Sequence, residues 1–72
     1  HRLVAEQFAR TVAELLGREV DENILMQARI SIDTGYAIVE MALEDAELST
    51  EHCLQQGAQM LQAYWAGIFA EA

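Results

Sequence analysis

The sequence predicts an all-α fold of three helices, the last two long and antiparallel. Apolar residues recur three or four positions apart along most of the chain, the spacing of one helical face. The 72 residues include no proline and four glycines, so little interrupts that pattern. Asp21 and Ser49 each precede a helical run and are residues that cap helix N-termini. The breaks before them are short, and short connections make neighbouring helices antiparallel.

The first helix is expected from Arg2 to Leu16. Val4, Phe8, Val12 and Leu15 fall on one face, with Leu16 adjacent. Gly17 follows as a C-terminal stop, and Gly17-Arg18-Glu19-Val20 is the turn. The second helix starts at Asp21 as N-cap, with Glu22 suited to the positive end of the helix dipole. Val20 and Leu25 are placed as a hydrophobic staple. This helix is expected to reach Ala46, roughly 36 Å at about 1.5 Å per residue. Leu25, Ala28, Ile32, Gly35, Val39, Ala42 and Ala46 form a seam along it. Ile24, Ile30, Ala37, Ile38 and Met41 lie largely outside that seam, so the helix needs more than one neighbour.

The third helix follows Ser49, with Glu51 in its first turn and Leu48 and Cys53 as a second staple. Leu54, Gly57, Ala58, Leu61, Trp65 and Ile68 make one stripe, flanked by Cys53, Met60 and Tyr64. From His52 to Ala70 there is no Asp, Glu, Lys or Arg. Gln55, Gln56, Gln59 and Gln62 lie in this run, and amides in such number argue against a lipid-facing span. A helix enclosed by other helices fits better.

Twelve acidic residues against four arginines and no lysine give a net charge of −8. That argues against direct binding to nucleic acid or to an anionic membrane, both of which need clustered positive charge. Residues 1–29 carry four arginines and five acids, for −1; residues 30–72 carry seven acids and no base, for −7. Glu40, Glu44, Asp45 and Glu47 crowd the end of the second helix, where negative charge opposes the dipole. They read either as a solvated face or as a surface for arginines from elsewhere. At 53% hydrophobic and 22% charged residues the chain is too apolar for disorder. It is one domain at most, and so small a domain usually needs a staple, a metal or a partner chain. One cysteine rules out an internal disulfide and a multi-cysteine zinc site, which leaves self-association. The first residue, His1, reads as a tag remnant or the start of an excised fragment, and no signal peptide is visible.

No set of residues predicts catalysis. His52 and Cys53 are adjacent, and neighbouring helical residues do not face each other; the plain reading is a structural cysteine beside a surface histidine. Glu40 and Glu44 have the spacing to share a cation, but no zinc or EF-hand signature surrounds them, so no metal or cofactor is expected. Ser31 invites comparison with an acyl carrier protein, but the Gly and Asp that precede the modified serine there are replaced by Ala28-Arg29-Ile30. Gly35 and Gly57 each cost about 1 kcal/mol relative to alanine inside a helix, which suggests close approach of another helix or a ligand. Phe8, Tyr36, Tyr64, Trp65 and Phe69 serve either as core or as a ligand-pocket lining.

Residues Ile32 to Ser49 (IDTGYAIVEMALEDAELS) resemble the penultimate helix and following turn of TetR-family transcriptional regulators. Gln59 to Ala66 (QMLQAYWA) is similar to the run that often closes such proteins, and Leu3 to Gly17 fits the helix before them. The resemblance spans most of this chain but only the C-terminal third of a family member. It implies a regulatory and dimerisation segment, cytoplasmic and non-enzymatic, in which the last two helices meet a symmetry mate in a four-helix bundle. It also implies a small-molecule effector of unknown identity, and DNA contact only through an upstream helix-turn-helix domain absent from these residues. On this reading an effector shifts the DNA-binding heads about a rigid hub. Over-apolar helices and seam glycines independently favour a twofold, self-complementary contact. Gly35, Val39, Gly57, Leu61, Tyr64, Trp65 and Ile68 are the expected interface. The alternatives are a generic homodimeric helical module and, behind it, a carrier protein.

Overall fold

The computed structural model describes residues 2–71. It contains three helices, α1 (Arg2–Leu16), α2 (Glu22–Glu44) and α3 (Thr50–Glu71), with no strand among the described residues.

The helix ends follow the capping residues. Gly17 adopts φ +67°, a left-handed conformation natural to glycine. Its N–H donates to the Glu14 carbonyl at 3.1 Å, and that of Arg18 to the Ala13 carbonyl at 2.9 Å. This bond pair is a Schellman closure. At the start of α2, the Asp21 Oδ1 accepts the Ile24 N–H at 2.8 Å. That bond, reinforced by the Arg18 guanidinium at 3.1 Å, holds the Asp21 carboxyl below the ordinary aspartate range. A carboxylate more acidic in the fold than in the unfolded chain contributes stability above its unfolded pKa and loses it as pH falls through the folded value. Asp21→Asn is therefore expected to flatten the acid limb of a thermal-stability profile below about pH 4, the ordinary aspartate value; an unchanged limb would remove Asp21 from that role.

α2 stops at Glu44, two residues short of the expected Ala46. Asp45 is the cause. Its Oδ1 accepts the Glu47 N–H at 2.9 Å, a local turn that competes with helix continuation. Ser49 caps α3 through its Oγ, which accepts the His52 N–H at 3.3 Å. The Thr50 hydroxyl donates to the Ala42 carbonyl at 3.1 Å and so satisfies one of the last carbonyls of α2.

The chain divides into two compact units, His1–Asp33 and Thr34–Ala72. In the first, α1 buries Ala5, Ala9, Val12 and Ala13, while α2 buries Ile24, Ala28 and Ser31. This corrects the expected α1 face. Val12 is buried as expected, but Val4 is 48% and Leu15 71% exposed, so the buried stripe is rotated by about one residue. On α2 the expected seam is buried at Ala28 and Ala42, but at its start Ile24 is buried in place of Leu25. Alanines occupy the contact because they let two backbones come close; the larger residues are displaced to its flanks. Ile24 is the largest fully buried side chain. Ile24→Ala is expected to cost about 2–5 kcal/mol in chemical denaturation.

In the second unit, Ala42 and Gly57 are buried and Ile38 is partly so. A Cβ placed on Gly57 would lie 2.7 Å from Cγ2 and 2.8 Å from Cδ1 of Ile38. Gly57 therefore permits α3 to touch α2 at Ile38. Val39, expected on the seam, is 45% exposed. Among the described residues, the ion pairs Arg2–Glu6, Arg18–Asp21 and Arg29–Asp33 lie at the surface, and each contributes at most about 1 kcal/mol.

Candidate self-association surface

The Gly57–Ile38 contact defines the line along which α2 and α3 meet. Helical spacing then assigns the remaining residues to either side of it. Met41 of α2 falls on one side with Cys53, Gln56 and Met60 of α3, and these residues together with Ile38 and Gly57 line a groove of about 470 Å³. Gly35 and Val39 fall on the opposite side of α2. Leu54, Leu61, Trp65, Ile68 and Phe69 fall on the matching side of α3.

This opposite side is apolar and incompletely covered. Val39, Leu54 and Phe69 are exposed, and Leu61, Trp65 and Ile68 are half-buried. The Trp65 ring packs edge-on against Tyr64, centroids 5.7 Å apart at 81°, and at a tilt against Phe69, 6.4 Å apart. Pre-set aromatic side chains lose little rotamer freedom on binding, which favours them as contact anchors. Five of the seven expected interface residues, Gly35, Val39, Leu61, Trp65 and Ile68, thus share one side of the helix pair. Gly57 lies on the dividing line, buried against its own chain, and Tyr64 lies just beyond it. Gly35 differs from Gly57: nothing lies within 4 Å of a Cβ placed there.

Electrostatics separate this surface from the acidic end. The second unit carries Glu40, Glu44, Asp45, Glu47, Glu51 and Glu71 and neither lysine nor arginine. All but Glu71 cluster around the α2–α3 turn, while the middle of α3 is uncharged. A like-charged copy can therefore approach the middle of α3 without bringing carboxylates together.

The other expected features are placed as follows. Ser31 is 6% exposed and its hydroxyl donates to the Gln27 carbonyl at 3.0 Å, which removes it as an attachment point for a carrier group. His52 is exposed and Cys53 half-buried in the groove, so their surroundings differ. Glu40 and Glu44 edge a shallow depression with Ala37, Met41, Asp45 and Ala46. No three His, Cys, Asp or Glu side chains gather to hold a metal ion among the described residues. Phe8 belongs to the first unit, and Tyr36, Tyr64, Trp65 and Phe69 to the second. No described helix is long and apolar enough to cross a membrane. The sulfur-lined groove is a feature that reading the sequence missed; Cys53 and Met60, seven residues apart on one helical face, were its available signal.

No protein-family model, curated protein or solved structure matches the chain.

Proposed function

We propose that this chain is the dimerisation and effector-sensing segment of a TetR-like transcriptional regulator and does not itself bind DNA. The self-association rests on the one-sided, uncharged apolar surface of Val39, Leu54, Leu61, Trp65, Ile68 and Phe69, and the TetR-like assignment on the resemblance of Ile32–Ser49 and Gln59–Ala66. Covering that surface with a second copy removes apolar area from water at about 25 cal/mol per Å². A twofold axis makes the contact self-complementary and brings two helices from each copy into a four-helix bundle. In the longer protein this bundle is the hub about which DNA-binding heads are set. An effector acts there only through different affinities for two head arrangements. The net charge of −8 agrees with DNA contact being made elsewhere.

The solution mass by light scattering, over a wide concentration range, tests the association. A mass of twice the chain supports the hub; a folded monomer throughout rejects it.

A further inference from the structure

An open, largely apolar groove runs along one side of the α2–α3 contact. Ile38 and Met41 line it from α2, and Cys53, Gln56, Gly57 and Met60 from α3. Its volume of about 470 Å³ has room for more than one large side chain. Gly57 contributes no side chain, so the floor stays low, while Met41 and Met60 rise on either side, 49% and 53% exposed. On the α2 side the groove adjoins the depression edged by Glu40, Glu44 and Asp45, and Met41 is common to both. We propose that this groove docks a cationic amphipathic helix of a partner protein. The apolar stripe of that helix lies between the two methionines, and its lysines or arginines meet Glu40, Glu44 and Asp45. This goes beyond the proposed self-association and does not rest on it, because Val39, Leu61, Trp65 and Ile68 lie on the other side of the α2–α3 contact.

The shape selects a helix. Small-molecule sites are concave and cover most of their ligand. This groove is open along its length between two helices, the arrangement that takes the apolar face of a third. Methionine side chains are unbranched and adaptable, so two of them can mould to the side chains that such a face presents.

Charge complementarity selects a cationic one. The second unit has neither lysine nor arginine to pair with the carboxylates beside the groove. Glu40, Glu44 and Asp45 also stand at the C-terminal end of α2, where the negative end of the helix dipole disfavours them. Cations from a partner offset both costs, and their position along one wall fixes which border of the incoming helix must be basic. A second copy of this chain is the poorer occupant. Its arginines all lie in the first unit, where Arg2, Arg18 and Arg29 are already paired with Glu6, Asp21 and Asp33.

Fluorescence anisotropy of a labelled synthetic helix tests this on the full chain. The probe has about 14 residues, or four turns, with leucines in one stripe and lysines along one border of it. Saturable one-to-one binding is expected, weakening as salt rises because exposed charges are screened. Glu40→Gln combined with Glu44→Gln should weaken it about tenfold, the effect of two exposed ion pairs. Met60→Glu is the deciding variant. It adds negative charge, so charge attraction alone would tighten binding, whereas loss of an apolar wall should weaken it at least about tenfold. Met60 is 53% exposed, so the new carboxylate is solvated in the free chain and the helical circular dichroism should persist. Leu43→Glu adds the same charge at a 74% exposed site outside the groove and should not weaken binding. Parent-like or tighter binding in Met60→Glu would reduce the event to charge attraction and overturn the proposal. Equal binding of a peptide with glutamates in place of the lysines, or no saturable binding, would overturn it as well. So would a dimer, seen by light scattering, that Met60→Glu dissociates, because a second copy would then fill the groove.

Discussion

Gly57→Leu is expected to destabilise the α2–α3 pair by about 2 kcal/mol, the balance of two opposed effects. Leucine is the better helix former by about 1 kcal/mol. Against this, even its Cβ falls 2.7 Å from a branched methyl of Ile38, and the rest of the side chain must find room in the same contact. Isoleucine is stiff at its first torsion, so the methyl cannot swing aside, and the helices must separate. Overpacking of this kind typically costs about 1–3 kcal/mol, and the lost α2–α3 contact puts this case at the upper end. Chemical denaturation at several protein concentrations would separate this loss from any change in association. Ile38→Ala should relieve it: the double variant is expected to be more stable than the sum of the single losses by at least about 1 kcal/mol. If Gly57→Leu raised stability, helix propensity would have won and the close contact would not govern the pair.

Val39→Glu is expected to convert the proposed dimer into a folded monomer, raising its dissociation constant by about a thousandfold, roughly 4 kcal/mol. Val39 is 45% exposed, so a carboxylate there is solvated in the single chain and harms its fold little. In a twofold contact both copies carry the substitution, and each buried unpaired carboxylate costs several kcal/mol. Leu3→Glu, at a 74% exposed site in the first unit, is the control expected to leave the mass unchanged. Light scattering reads both variants. A Val39→Glu chain that still formed dimers would place the contact on another surface.

Local chemistry was legible from the residues. Gly17, Asp21 and Ser49 mark the helix ends because backbone groups there need partners that only certain residues provide. The end of α2 at Glu44 instead of Ala46 is not legible from periodicity, because the Asp45 carboxylate accepts a backbone N–H two residues on. The buried stripe was legible only in part: Val12, Ala28 and Ala42 are buried as their spacing predicts, and their larger neighbours are not. Val4, Leu15, Leu25 and Val39 are the larger apolar residues and were the natural candidates, yet all four are exposed.

Three helices, their caps, the uncharged run from His52 to Ala70 and the acidic turn are written in the residues themselves, because each depends on interactions within a few positions. Which of the many apolar residues the helices bury against one another is set in the packed fold. With 53% of residues hydrophobic, apolar side chains surround much of each helix, and their pattern alone does not single out one face. Size settles the choice. Ala5, Ala9, Ala13, Ala28, Ala42 and Gly57 are buried because small residues let the helix backbones approach, and that approach leaves the larger side chains on the flanks.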